Sequence, residues 1–119
     1  MNQVAFTVPL VPPSVNHYVK HTRSGRHYVT KEAKAFKAAT GIFARGKHVS
    51  SSWYEVEIAI FLAKGQRGDG DNFGKCVLDS LVAAGVIHSD AAVKKVSITK
   101  DRDWENPRTE ITVKAIQEV

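Results

Sequence analysis

Cysteine is almost absent from this sequence of 119 residues, which contains only Cys76. A single cysteine excludes an internal disulfide and a zinc site built from several thiolates, and it is typical of a reducing compartment. Cys76 stands among apolar positions of a predicted helix, so we expect it to lie in the core. We therefore expect a cytoplasmic protein without covalent cross-links.

Long apolar runs are also missing, since no run approaches the roughly 20 residues that a membrane-spanning helix needs. We expect no signal peptide, and the sequence contains no internal repeat or low-complexity tract. Its hydrophobic content of 43% is that of an ordinary soluble protein. We predict a single domain over residues 1–119 and no membrane partner.

Acidic residues are outnumbered, with 12 Asp and Glu against 17 Lys and Arg, which gives a net charge of +5. This excess modestly favours a polyanionic partner such as nucleic acid. The five histidines show no convincing metal-ligand spacing, and nothing marks a Ser-His-Asp or Cys-His constellation. Any catalytic chemistry must therefore come from other groups.

Hydrophobic periodicity predicts an α+β fold, a compact domain with one mixed β-sheet and two main helices. The predicted strands are Val4 to Val8, a basic hairpin around residues 22–25, Trp53 to Ala63, Val93 to Lys100 with Val96 and Ile98 inward, and a last strand after Pro107.

The first predicted helix is capped by Thr30 and ends near Arg45, before Gly46. Its predicted buried stripe is Phe36, Ala39 and Phe43. The second predicted helix is capped by Asp71 or Asn72 and stops at Gly85 after about three and a half turns.

Two acids, Asp69 and Asp71, precede the second helix and are two residues apart. In an extended segment that spacing aims both carboxylates to the same side. Lys75 follows Asp71 by four residues and shares its helix face. A helix N-terminus favours anions, so this group could bind a metal ion and a phosphate. A turn followed by a helix cap explains the same residues equally well.

The nature of a bound cation follows from the ligands. A calcium loop of the EF-hand type fails, because Phe73 and Ser80 occupy the fifth and twelfth positions. Carboxylates about 4 Å from a DNA phosphate each cost on the order of 4 kcal/mol at an effective dielectric of 20, and a divalent ion reverses that sign. Oxygen ligands suit Mg²⁺, or Mn²⁺. Such an ion polarises a phosphodiester and lowers the pKa of an attacking water.

The acidic series closely resembles the signature of RusA-type Holliday junction resolvases. It consists of Asp69-x-Asp71-Asn72-x-x-Lys75, then Asp79-x-Leu81 and Ala84-Gly85-Val86-Ile87 running into Asp90. The start of the chain, Pro12-Pro13-Ser14-Val15-Asn16 before the basic hairpin, is similar to theirs as well. Two departures are visible: only Lys64 and Arg67 remain of the usual arginines before the first acid, and Ser89 precedes Asp90 where an acid is common.

The resemblance implies a homodimeric, Mg²⁺-dependent endonuclease of a bacterial or phage-infected bacterial cell, which nicks opposing strands of a four-way DNA junction. By position, Asp69, Asp71 and Asp90 are the implied metal ligands, and Lys75 is the implied catalytic lysine. Two like sites in a two-fold dimer suit a junction with near two-fold symmetry. The alternative is a non-catalytic, phage-encoded protein that binds DNA junctions.

The predicted DNA contacts are Asn16, Arg23, Arg26, Lys64, Arg67 and Lys100. Asn16 has a simpler explanation, in which it bonds the backbone of the proline turn.

The position of Asp90 raises a question of reach. A helix from Asn72 to Ala84 is about 20 Å long, so Asp90 returns to the first acids only if residues 85–90 run nearly straight, at about 3.3 Å per residue. Otherwise Lys75 or Asp90 comes from the partner subunit. We hypothesise an obligate dimer whose interface lies beside this helix.

Overall fold

The computed structural model describes residues 2–13, 19–21, 27–65 and 73–116, which form the predicted α+β fold. In chain order its elements are β1 (Gln3–Val8), β2 (Val19–His21), β3 (His27–Val29), α1 (Lys31–Phe43), β4 (Trp53–Leu62), α2 (Gly74–Ala83), a 3₁₀ helix (Asp90–Ala92), β5 (Val93–Arg102) and β6 (Arg108–Ile116). Within the described residues, no helix has the length and apolar character that crossing a membrane requires.

The main sheet has the strand order β1-β6-β4-β5 and is mixed, as predicted. β4 pairs antiparallel with β6 and parallel with β5, so Val56 lies opposite Val96 and Ile58 opposite Ile98. A parallel pair needs a crossover, which α2 provides. The first turn of α2 consequently lies near the ends of β4 and β5, where Lys100 Nζ is 5.7 Å from the Phe73 ring centroid.

The central strand β4 shows the predicted alternation. Every second side chain, Tyr54, Val56, Ile58, Ile60 and Leu62, is buried. β6 alternates in the same way, with Thr109, Ile111 and Val113 buried. The period-two pattern therefore placed the core of the sheet correctly.

β2 and β3 pair antiparallel, with Lys20 opposite Tyr28, which confirms the predicted hairpin. Its predicted tip, residues 22–25, lies outside the described residues.

Helix α1 begins as predicted, because the Thr30 Oγ1 accepts a hydrogen bond from the Ala33 amide at 3.4 Å. Its predicted buried stripe is wrong at Phe43, which is 45% exposed in the last turn. Thr40 is buried instead, and its hydroxyl donates to the Phe36 carbonyl at 2.8 Å. That bond lets a polar residue occupy a core position.

Helix α2 begins later than predicted. Its N-cap is Phe73, without a side-chain capping bond, so the prediction that Asp71 or Asn72 caps it is wrong. Burial of the Phe73 ring, which is 4% exposed, fixes the chain at this point. The predicted stop at Gly85 is confirmed: its φ is 78°, its amide donates to the Val82 carbonyl, and the Val86 amide donates to the Leu81 carbonyl.

β5 has no further strand on its outer side among the described residues. Val96 and Ile98 face the helical side of the sheet, in register with buried residues of β4. Ile98 is half-buried, but Val96 is 39% exposed, so the prediction that Val96 is buried is wrong. The space left beside these two side chains is a cavity.

Candidate active site

Two of the predicted catalytic residues, Lys75 and Asp90, line the same cavity of about 420 Å³. Lys75 comes from the first turn of α2, and Asp90 opens the 3₁₀ helix before β5. The other lining residues are Gly74, Leu78, Asp79, Val96 and Ile98. One chain therefore brings the lysine and the acid to one cavity without a partner subunit.

The chain between α2 and Asp90 bends rather than running straight. The reach of Asp90 to Asp69 and Asp71 stays a prediction, because those two acids lie outside the described residues. After the turn at Gly85, Val86 and Ile87 are buried, and the Val86 carbonyl accepts a hydrogen bond from the Val49 amide at 3.0 Å. α2 has 10 residues, so its length is about 15 Å. The helix is therefore shorter than predicted, and Asp90 lines the same cavity as Lys75 without an extended return.

Asp90 is exposed and is held at the start of the 3₁₀ helix by the residue before it. The Ser89 Oγ accepts a hydrogen bond from the Ala91 amide at 3.1 Å. Serine is a favoured cap, which gives a structural reason for Ser89 at this position. The cap fixes the backbone that presents the Asp90 carboxylate.

Lys75 is tethered by an acid one turn later on α2. Its Nζ is 3.6 Å from Asp79 Oδ2, a pairing that the spacing of four residues on a helix favours, and the two side chains are 55% and 28% exposed. An exposed pair of this kind contributes little to stability. Its effect is positional, because it restricts where the ammonium can lie over the cavity.

One wall of the cavity is apolar and consists of Leu78, Val96 and Ile98. Sequence reasoning took the two β5 side chains for core residues and missed this role. An apolar wall beside Lys75 lowers the local dielectric, which strengthens the attraction between its ammonium and a phosphate. The arrangement can hold an anionic group against a fixed ammonium.

The remaining predicted ligands, Asp69 and Asp71, lie outside the described residues, as do Asn16, Arg23, Arg26 and Arg67. The described chain stops at Gly65 and resumes at Phe73. Both ends are fixed at the same end of the sheet: the Leu62 carbonyl accepts from the Asp103 amide at 3.0 Å, and Phe73 lies beside Lys100. The segment with both acids therefore follows the end of β4 in the chain and leads directly into α2.

A metal site at this cavity would require carboxylates from that segment. Among the described residues, no three His, Cys, Asp or Glu side chains are grouped as a metal site. Asp90 supplies one exposed carboxylate at the cavity. A set of three carboxylates has the hard oxygen chemistry of an Mg²⁺ or Mn²⁺ site, so the residues fit such an ion.

Two predicted DNA contacts, Lys64 and Lys100, lie at this end of the sheet. Lys64 Nζ is 5.5 Å from the ring centroid of Trp104, in the turn between β5 and β6. Trp104 is 61% exposed and was missed by sequence reasoning. The feature of the sequence that could have pointed to it is a tryptophan within a run of charged residues.

Cys76 is buried, as predicted, on α2. Burial raises the pKa of its thiol to about 11. At neutral pH the thiol stays protonated, so Cys76 is not a nucleophile of this site.

Comparison with known proteins covers nearly the whole chain. Residues 9–114 match the family model described as Endodeoxyribonuclease RusA. Proteins named crossover junction endodeoxyribonuclease RusA from Escherichia coli (strain K12), Enterobacteria phage 82 and Shigella sonnei (strain Ss046) are each 28% identical over 116 residues. The matches cover 95% of this chain and 95% of each relative.

Proposed function

Because the chain belongs to the RusA family of endodeoxyribonucleases, we propose that it resolves four-way (Holliday) DNA junctions by paired, Mg²⁺-dependent nicking during DNA recombination and repair. The observation that carries this proposal is the cavity that Lys75 and Asp90 share at the start of α2, directly after the segment with the other two acids in the sequence. The relatives are named crossover junction endodeoxyribonucleases, which supports a DNA junction as the substrate.

In the proposed mechanism, Asp69, Asp71 and Asp90 hold the divalent ion, Mg²⁺ or alternatively Mn²⁺. When bound, the ion polarises the phosphodiester and lowers the pKa of an attacking water. Lys75 lies over the cavity, tethered by Asp79 at 3.6 Å. Its ammonium stabilises the negative charge that develops on the phosphate or on the leaving oxygen.

Charge distribution supports DNA binding at the cavity side of the sheet. On the opposite face, three cations lie against acids. These pairs are Lys95 with Glu55 at 3.6 Å, Arg108 with Glu110 at 3.0 Å, and Lys114 with Glu57 at 2.9 Å. Cations neutralised in this way attract phosphates weakly, so we place the duplex arms on the cavity side of the sheet.

Paired nicking requires two active sites, so the proposal includes a homodimer. Each subunit supplies its own Lys75 and Asp90. The DNA of a bacterium or of an infecting phage is in the cytoplasm, which is the proposed location.

Cleavage of a synthetic four-way junction tests the proposed function. With Mg²⁺ we expect paired nicks in opposing strands and no cleavage of a linear duplex of the same sequence, because two like sites match the junction symmetry. With a chelator, binding persists and nicking stops. Labelled strands on a denaturing gel give the measurement.

Binding of the junction without cleavage in Mg²⁺ or Mn²⁺ would favour the non-catalytic junction-binding protein. Equal cleavage of junction and duplex would contradict structure selectivity.

Phosphate contacts are tested by salt dependence. Lys64→Gln and Lys100→Gln should each lower the slope of log K against log salt by about 0.9, because each lost contact releases one counterion fewer. Binding is measured in metal-free buffer over a range of salt. Lys114→Gln is the matched control, since its ammonium lies 2.9 Å from Glu57 on the opposite face. An unchanged slope removes that lysine from the contact surface.

A further inference from the structure

Trp104 is an exposed aromatic side chain with no role in the site described above. It is 61% exposed in the turn between β5 and β6. A tryptophan gains most from being buried, so an indole left in water at this position adds little to folding. Lys64 Nζ lies over its ring at 5.5 Å from the centroid. A flat ring and a cation therefore form one surface.

The turn that carries Trp104 is held firmly on both sides. The Asp103 amide donates to the Leu62 carbonyl at 3.0 Å, which ties the turn to the end of β4. Arg108 Nη1 donates to Asp103 Oδ2 at 2.8 Å and to the Asn106 carbonyl at 3.0 Å. The bond from Arg108 holds the pKa of the Asp103 carboxyl below its ordinary value, so the pair stays ionised. A ring on a fixed turn needs little ordering when a ligand binds.

The turn also lies beside the segment with the acids. Lys64 is the last residue but one before the undescribed segment, and Asp69 follows it by five residues. Among the described residues, Trp104 follows Lys100 of β5 by four residues, and Lys100 Nζ lies 5.7 Å from the ring centroid of Phe73, the residue before the cavity-lining Gly74.

An aromatic ring beside a cation suits one ligand in particular, a nucleobase with its phosphate. In a continuous duplex the faces of the bases are covered by their neighbours, so Trp104 has nothing to stack on. At a branch point the stack is interrupted and a base face becomes available. The surface thus distinguishes branched from linear DNA.

We propose that Trp104 stacks on a nucleobase exposed at the branch point, with Lys64 beside the adjoining phosphate, and that this contact gives a preference for branched DNA. The inference rests on the proposed function, and it adds the residue that would recognise the branch.

The test compares Trp104→Ala and Trp104→Phe in an Asp71→Asn background, which keeps the DNA intact. We expect Trp104→Ala to bind the four-way junction about 5- to 100-fold more weakly, the range for loss of one base–aromatic stack, with little change on linear duplex. Trp104→Phe should retain most of the affinity. The slope of log K against log salt should not change, because no phosphate contact is removed.

A fluorescent base analogue, 2-aminopurine, at the branch point reports stacking directly, since its fluorescence falls when it stacks on the indole. The quench should disappear in Trp104→Ala. Phe43→Ala is the matched control, because Phe43 is another exposed aromatic, 45% exposed at the end of α1. Thermal unfolding should be similar in all variants.

Unchanged junction affinity in Trp104→Ala, or equal losses of affinity on junction and duplex, would overturn the inference. Junction cleavage by the wild-type protein would still support the proposed function in that case. A loss of affinity that the phenylalanine variant shares in full would also overturn it. A wild-type protein that neither binds nor cleaves branched DNA would overturn both.

Discussion

We expect the Asp69→Asn and Asp71→Asn proteins to lose nicking while binding a four-way junction as well as wild type, or better, in metal-free buffer. Asparagine keeps the size of the side chain and removes its charge, so the proposed ion loses a ligand. The rate of nicking should fall by at least about 10²- to 10³-fold, as for other single charge-stabilising groups. Binding benefits because a carboxylate about 4 Å from a phosphate costs on the order of 4 kcal/mol at an effective dielectric of 20.

Asp90→Asn should behave in the same way, since Asp90 lines the cavity with Lys75. Asp101→Asn is the matched control. Asp101 is an exposed acid of β5 that pairs with Phe61 and lies on the face of the sheet away from the cavity. Nicking rates under single-turnover conditions measure the loss of cleavage, and junction affinities with a chelator measure binding without metal. Near wild-type nicking by any of the three variants would exclude that residue from the metal site.

The second large effect concerns the lysine. Lys75→Ala should lower the single-turnover nicking rate by about 10²- to 10³-fold, because one preorganised charge is lost at the reacting phosphate. Asp79→Asn should lower the rate less, since it removes only the tether at 3.6 Å from Lys75 Nζ. Junction affinity should change little in Asp79→Asn, which separates positioning from binding.

Lys31→Ala is the control for Lys75→Ala, as Lys31 is exposed at the start of α1. A second measurement mixes Lys75→Ala subunits with Asp71→Asn subunits. If each site is built within one chain, mixed dimers contain no intact site and show no nicking. Recovered nicking of one strand in verified mixed dimers would show that the two residues come from different subunits.

Local signals in the sequence predicted much of the fold. Alternation along β4, the Thr30 cap and the turn at Gly85 each depend on a few neighbouring residues, and the structure confirms all three. The predicted start of α2 was wrong because Asp71 and Asn72 are residue types that favour a helix cap, whereas burial of Phe73 fixes the start of the helix one or two residues later. Tertiary packing outweighed a local preference there.

Errors in burial have a different cause. Phe43 and Val96 follow the apolar pattern of their elements, but they are 45% and 39% exposed. Whether an apolar residue is covered depends on which element packs over it. Among the described strands β5 lies at the edge of the main sheet, and a single sequence does not reveal that position.

The candidate site was predictable to a similar degree. The pairing of Lys75 with Asp79 follows from helical spacing, and the structure confirms it. The meeting of Lys75 and Asp90 depends on the crossover of α2 between parallel strands, so spacing could not settle it. Roles for Asp69 and Asp71 come from family resemblance and stay predictions. The apolar wall and Trp104 had no motif that could mark them.

The parallel pairing of β4 with β5 also bears on when the protein becomes active during its synthesis. Val56 and Val96 are direct partners although 40 residues separate them, and such distant contacts form slowly because a long loop must close first. The cavity cannot exist until that loop has closed, because Val96 and Ile98 form its wall. An incomplete chain emerging from the ribosome thus lacks the cavity that Lys75 and Asp90 share.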